Sequence, residues 1–220
     1  MAAGAGESKP GGTAMPYGSV LTTLAAADPE RVALVCDGPG GSVQLTRGEL
    51  EAWANRLARA YAELGLSSGD FATIALPNGP EFFAACLAIW KLGAVPNPVS
   101  HRLPPPERAA IIERANPALV IGLAQGSYAG CRCIPAHLAV DAYAPEPLEP
   151  RTSPHERAMA SGGSTGLLNS SWRPTPPSTM RSALRRCSRA VTPYWCRDRC
   201  ITAPPSAPPS AVCSVVAASW

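Results

Sequence analysis

Residues 71–76, FATIAL, form an unbroken apolar run held between Gly69-Asp70 and Pro77-Asn78-Gly79. A strand that is apolar on both faces is stable where both faces are covered, as in a parallel sheet sandwiched by helices. The residues that follow supply the cover. Pro80 opens EFFAACLAIWKLG, which is apolar nearly all round and so reads as a buried helix. A shorter helix is expected after Pro106 through ERAAIIERA, stopping at Asn116-Pro117 before the apolar strand ALVIG. Strand, helix, helix, strand predicts an α/β domain with parallel strands covered by helices.

Ahead of this unit, residues 46–65 place Leu50, Trp53, Leu57, Tyr61 and Leu64 on one helical stripe. Thr46 and Glu49 make a capping box and Gly65 a natural stop. VALVCDG and SVQLT, joined through Pro39-Gly40-Gly41, read as a hairpin. After Gly122 the pattern weakens, and SYAGCRC and YAPEPLEPRTSPHE are expected to run over the surface as connections.

Charge divides the chain at Gly166. Residues 1–166 carry ten Arg, two Lys and fifteen Asp or Glu, whereas residues 167–220 carry seven Arg and one acid, Asp198. The acidic first part gives no reason to expect nucleic acid or an anionic membrane as partner. The opening MAAGAGESKPGG has no apolar core of an export signal, and the longest apolar run, Phe82 to Trp90, is too short for a membrane span. A cytoplasmic location is therefore expected, and with it reduced thiols for the eight cysteines. Cys131, Cys133, Cys196 and Cys200 lack the paired C-x-x-C spacing and the neighbouring His that would point to zinc.

The segment ERAMASGGSTG ends the first part. Glycines let a backbone turn its N–H groups inward, and Ser and Thr hydroxyls add donors, which suits a polyphosphate. A flexible Gly/Ser linker has the same composition. His101 and Arg102 follow the buried helix and read as a surface turn, while Trp53 and Trp90 read as core. No Ser-His-Asp or Cys-His pairing has supporting context.

Together, TRGELEAWANRLARAYAELGLSSGDFATIALPNGPEFFAACLAIWKLGAVPNPVSHRLPPPE and ASGGSTG resemble the amino-terminal portion of the AMP-forming acyl-CoA synthetases, within the adenylate-forming ligase superfamily. The resemblance covers about three quarters of the chain. It implies an incomplete α/β amino-terminal domain of such a ligase. The implied substrates and cofactors are ATP with Mg2+, a small carboxylic acid and coenzyme A. The acid attacks the α-phosphate to give an acyl-adenylate and pyrophosphate, and coenzyme A then displaces AMP. Fatty, aromatic and bile or steroid acids all fit. By this resemblance Ser161, Gly162, Gly163, Ser164, Thr165 and Gly166 hold the β- and γ-phosphates. The family continues with a Pro-Lys pair, where this chain has Leu167-Leu168-Asn169. No catalytic residue and no metal ligand is assigned. Two other readings stand beside this one: a non-catalytic nucleotide-binding or regulatory fragment, and an adenylation unit of a peptide-synthesis assembly line.

The expected organisation is a flexible amino terminus over 1–16, a partial AMP-binding domain over 17–166, and an aberrant tail over 167–220. From Leu167 onward there is no Gly, Lys, Glu or Phe, and no periodic apolar face persists. A disordered segment read out of frame is the expectation for this tail. The codons of Trp195-Cys196, TGG TGY after the Tyr194 codon TAY, become Leu-Val once one lost base is restored near Asn169.

Overall fold

The computed structural model describes residues 15–38, 41–161, 169–174 and 212–214. Its centre is a four-stranded parallel sheet in the order β4-β3-β5-β6, with β3 (Phe71–Ile74), β4 (Val95–Pro98), β5 (Leu119–Ile121) and β6 (Arg132–Ile134). Helix α3 (Pro80–Lys91) connects β3 to β4, and α4 (Pro105–Ala115) connects β4 to β5, which lies on the other side of β3. Because the chain reverses direction across the sheet, right-handed crossovers put these helices on opposite faces. The core divides accordingly. Ala72, Ile74, Leu119, Ile121 and Ile134 join one cluster with α3 residues such as Ala88 and Ile89, while Val120 and Cys133 meet Ile112 of α4. FATIAL is thus buried on both faces, as its composition requires.

Two further helices cover the α3 face. Helix α1 (Tyr17–Ala27) packs on α2 (Arg47–Glu63) and on α3. The capping box of α2 is formed: Thr46 Oγ1 accepts from the Glu49 N–H at 3.2 Å, and Glu49 Oε2 accepts from the Thr46 N–H at 2.8 Å. Leu50, Leu57 and Tyr61 are buried, with Trp53 and Leu64 packed at the margin. The expected hairpin is β1 (Val32–Gly38) with β2 (Gly41–Thr46), antiparallel.

Two elements differ from the expectations. Part of the stretch read as a surface connection is β6, which continues the parallel sheet beyond β5. Three residues are too few to show a period, and the backbone pairing with β5 defines the strand. Helix α1 is the other: Gly18 lets it approach α3 so closely that a Cβ there would lie 2.7 Å from Lys91 Cα.

The proline-spaced stretch after Val140 is a strap gripped by α2. Asn55 Nδ2 donates to the Pro145 carbonyl at 2.8 Å, and Arg56 Nε donates to that of Tyr143 at 3.3 Å. Arg59 Nη1 reaches the carbonyls of Ala144 at 2.8 Å and Glu146 at 2.9 Å.

Of residues 167–220, those described are β8 (Asn169–Pro174), antiparallel to β7 (His155–Ser161), and β9 (Val212–Ser214), antiparallel to β1. Such pairing uses backbone groups and needs no apolar period. Cys36 is disulfide-bonded, against the expectation of reduced thiols, and the residue in register with it on β9 is Cys213.

Candidate functional site

Strand β7 carries the start of the glycine-rich segment. At its beginning, His155 stacks on Phe71, the first residue of β3, with ring centroids 6.5 Å apart. Beside it, Trp90 Nε1 donates to the Glu156 carbonyl at 2.9 Å. From this amino-terminal edge of the parallel sheet, β7 runs along β4 while pairing with β8 in a separate two-stranded sheet. Seven extended residues rise about 20 Å, roughly twice the span of four-residue β4.

The register puts Ser161 opposite Asn169. The two ends of the intervening segment are thereby held together across an antiparallel pair. Ser161 closes β7, while Gly162, Gly163, Ser164, Thr165 and Gly166 lie outside the described residues.

At the switch point of the sheet the backbone is closely packed. Strand order reverses between β3 and β5, and there Gly122, at φ 94°, packs so closely that a Cβ would meet Leu76 Cδ2 at 2.7 Å and the Ala75 carbonyl oxygen at 3.0 Å.

The other candidates take quieter places. His101 and Arg102 form an exposed turn, steadied by Arg108 Nη1 on the His101 carbonyl at 3.3 Å. Trp53, with Leu57, Tyr61, Glu81 and His137, lines a hollow of about 50 Å³, little more than water-sized. Cys131 and Cys133 are free, and burial pushes the Cys131 thiol above its ordinary pKa. Among the described residues no group of three His, Cys, Asp or Glu side chains could hold a metal ion. No helix among them is long and apolar enough to cross a membrane.

Two features escaped the sequence reading. One is the N–H of Trp90, which reaches β7 from 66 residues away. The other is a buried ion pair, Lys91 Nζ to Glu51 Oε1 at 2.7 Å, joined by Thr22 and Asn55. Its one trace in sequence is the polar pair Glu51 and Asn55 at helical spacing with Ala54 and Ala58, a stripe that proves to be buried.

Comparison with known proteins agrees with the fold. The family model described as AMP-binding enzyme matches residues 21–190, more than half of the chain. The chain belongs to this family. It corresponds to the amino-terminal part of the adenylate-forming fold, and enzymes of this family use ATP. A dimodular nonribosomal peptide synthase of Bacillus subtilis (strain 168) is 36% identical over 97 residues, covering 44% of this chain and 4% of its own length. The long-chain-fatty-acid–CoA ligase FadD13 of Mycobacterium tuberculosis (strain CDC 1551 / Oshkosh) is 34% identical over 104 residues, covering 47% of this chain and 20% of its own. Among solved structures, the nonribosomal peptide synthetase FmoA3 (S1046A), bound to α-methyl-L-serine-AMP, superposes with a TM-score of 0.68 at 21% identity. That match covers 84% of this chain and 20% of the other. The chain thus spans at most a fifth of the length of these three proteins.

Proposed function

We propose that the chain is the amino-terminal part of an ATP-dependent carboxylic acid–CoA ligase whose Ser161–Gly166 segment holds the β- and γ-phosphates. The observation that supports this reading is the register of β7 and β8, which pairs Ser161 with Asn169 and so brings the two ends of the glycine-rich segment together. In the first step a carboxylate oxygen forms a bond to the α-phosphorus, and the bond from that phosphorus to the pyrophosphate oxygen breaks. Backbone N–H groups and the hydroxyls of Ser161, Ser164 and Thr165 would donate to the charge developing on the leaving pyrophosphate. In the second step the coenzyme A thiol attacks the acyl carbonyl and AMP departs.

By themselves the 220 residues do not turn over. No Lys follows Gly166, and a polyphosphate loop accelerates a reaction only when the reacting acid is held against it. ATP–pyrophosphate exchange should be absent with any carboxylic acid. Exchange above a no-enzyme control, abolished by Gly163→Val, would contradict this.

The similarity to peptide synthases supports a second reading, an adenylation unit. Its first step is the same and its thiol acceptor is a carrier protein. A longer, frame-restored product that forms a thioester on free coenzyme A supports the ligase; one that loads a carrier protein alone supports the second reading.

A further inference from the structure

We propose that Trp90 is a positioning residue for the polyphosphate segment, acting through its indole N–H on the bulge at Glu156; this rests on the reading of Ser161–Gly166 given above. The β7–β8 register passes from His155 opposite Pro174 directly to Arg157 opposite Arg173, so Glu156 is the extra residue of a bulge. A bulge leaves its residue outside the regular ladder and re-aims the strand beyond it. The carbonyl of that residue accepts from Trp90 Nε1 at 2.9 Å.

The donor is itself rigidly mounted. Trp90 lies in the last turn of α3, between buried Ile89 and Lys91, and its ring stacks on Tyr17 of α1 at 5.4 Å with planes inclined by 28°. Burial, and then the Glu156 carboxylate, raises the Tyr17 pKa, so the phenol beside this contact stays neutral. Since β7 pairs with β8 and not with β4, sheet hydrogen bonds to the parallel core do not fix its height. The indole bond ties the bulge to the core five residues before Ser161. Trp90 therefore sets where Ser161 emerges without touching a ligand.

Trp90→Phe keeps an aromatic ring against Tyr17 and removes the donor. Replacing Trp90 with benzothienylalanine keeps the full ring shape and removes the same N–H, so a packing defect in the first variant cannot decide the outcome. Amide exchange is followed at 157–161 and at 84–89, and Mg·ATP affinity is measured on the 220-residue chain by calorimetry. Loss of one such hydrogen bond corresponds to about a two- to tenfold change in an equilibrium constant. Both variants should speed exchange at 157–161 by about that factor, leave 84–89 unchanged, and weaken Mg·ATP binding by a similar factor. Unchanged exchange at 157–161 in the benzothienylalanine variant overturns the proposal, as does a uniform rise that includes 84–89. If the unaltered chain binds no Mg·ATP, the phosphate reading fails while the exchange result still decides whether Trp90 holds the hairpin.

Discussion

Lys91 stands where three helices meet, its ammonium 2.7 Å from Glu51 Oε1 on α2 and 2.9 Å from Thr22 Oγ1 on α1. Burial pushes its pKa below the ordinary 10.5, and the hydrogen bond and charge of Glu51 pull it partly back. A buried pair contributes little against an apolar replacement, but breaking it strands a charge. Lys91→Met should therefore lower stability by about 3–5 kcal/mol. Adding Glu51→Leu should recover much of that loss, and urea titrations of the two variants measure the difference. Equal stability in the single and double variants would show that the charges are not coupled. The pairing itself was not legible in sequence, because Glu51 and Lys91 are 40 residues apart. The capping box at Thr46 and Glu49 was legible because both partners belong to one turn.

Helices α1, α2 and α3 share one interface, and two of its groups make it sensitive to alkali. Burial raises the pKa of the Cys86 thiol on α3 and of the Tyr61 phenol on α2 well above their ordinary 9.0 and 10.0. Above pH 9 the unfolded chain releases protons that the folded chain keeps, so stability falls by about 1.4 kcal/mol per pH unit for each group titrating. Lys91 acts oppositely, since its folded pKa lies below the unfolded one and its contribution grows with pH up to about 10.5. Cys86→Ala should remove one unit of the decline and leave the stability of this variant less steep above pH 9 in denaturant titrations. The approach of α1 gives a separate test. Gly18→Ala places a methyl against the Lys91 backbone and should destabilise by about 1–3 kcal/mol, with a change in Trp90 fluorescence as Tyr17 shifts. Helix α1 eluded the sequence because its docking depends on a missing side chain and a cross-helix stack, neither of which has a period. Helices α2 and α3 and strands β3 and β5 were readable because burial dictated their composition. Within the candidate site, the bulge at Glu156 and its donor exist only once β7 and α3 are brought together.

At the scale of the molecule, the reading frame is the open proposal. The family match continues to residue 190, and β8 and β9 lie beyond Gly166. Restoring one nucleotide near the Asn169 codon should give a continuous frame past the Trp220 codon, with a Lys soon after Gly166 and Leu-Val where Trp195-Cys196 stand. Sequencing the encoding DNA checks this, and an early stop in that frame defeats it. The strap has a consequence for how the chain is made. Its carbonyls meet α2 across 85 to 90 residues of chain. At a synthesis rate of about 5–20 residues per second, α2 leaves the ribosome some 4–18 s before the strap that it grips. Through that interval Asn55, Arg56 and Arg59 are dressed by water, and the parallel sheet can assemble first. The clasp closes late in synthesis, and the hairpin bearing the glycines is the next part of the chain to arrive.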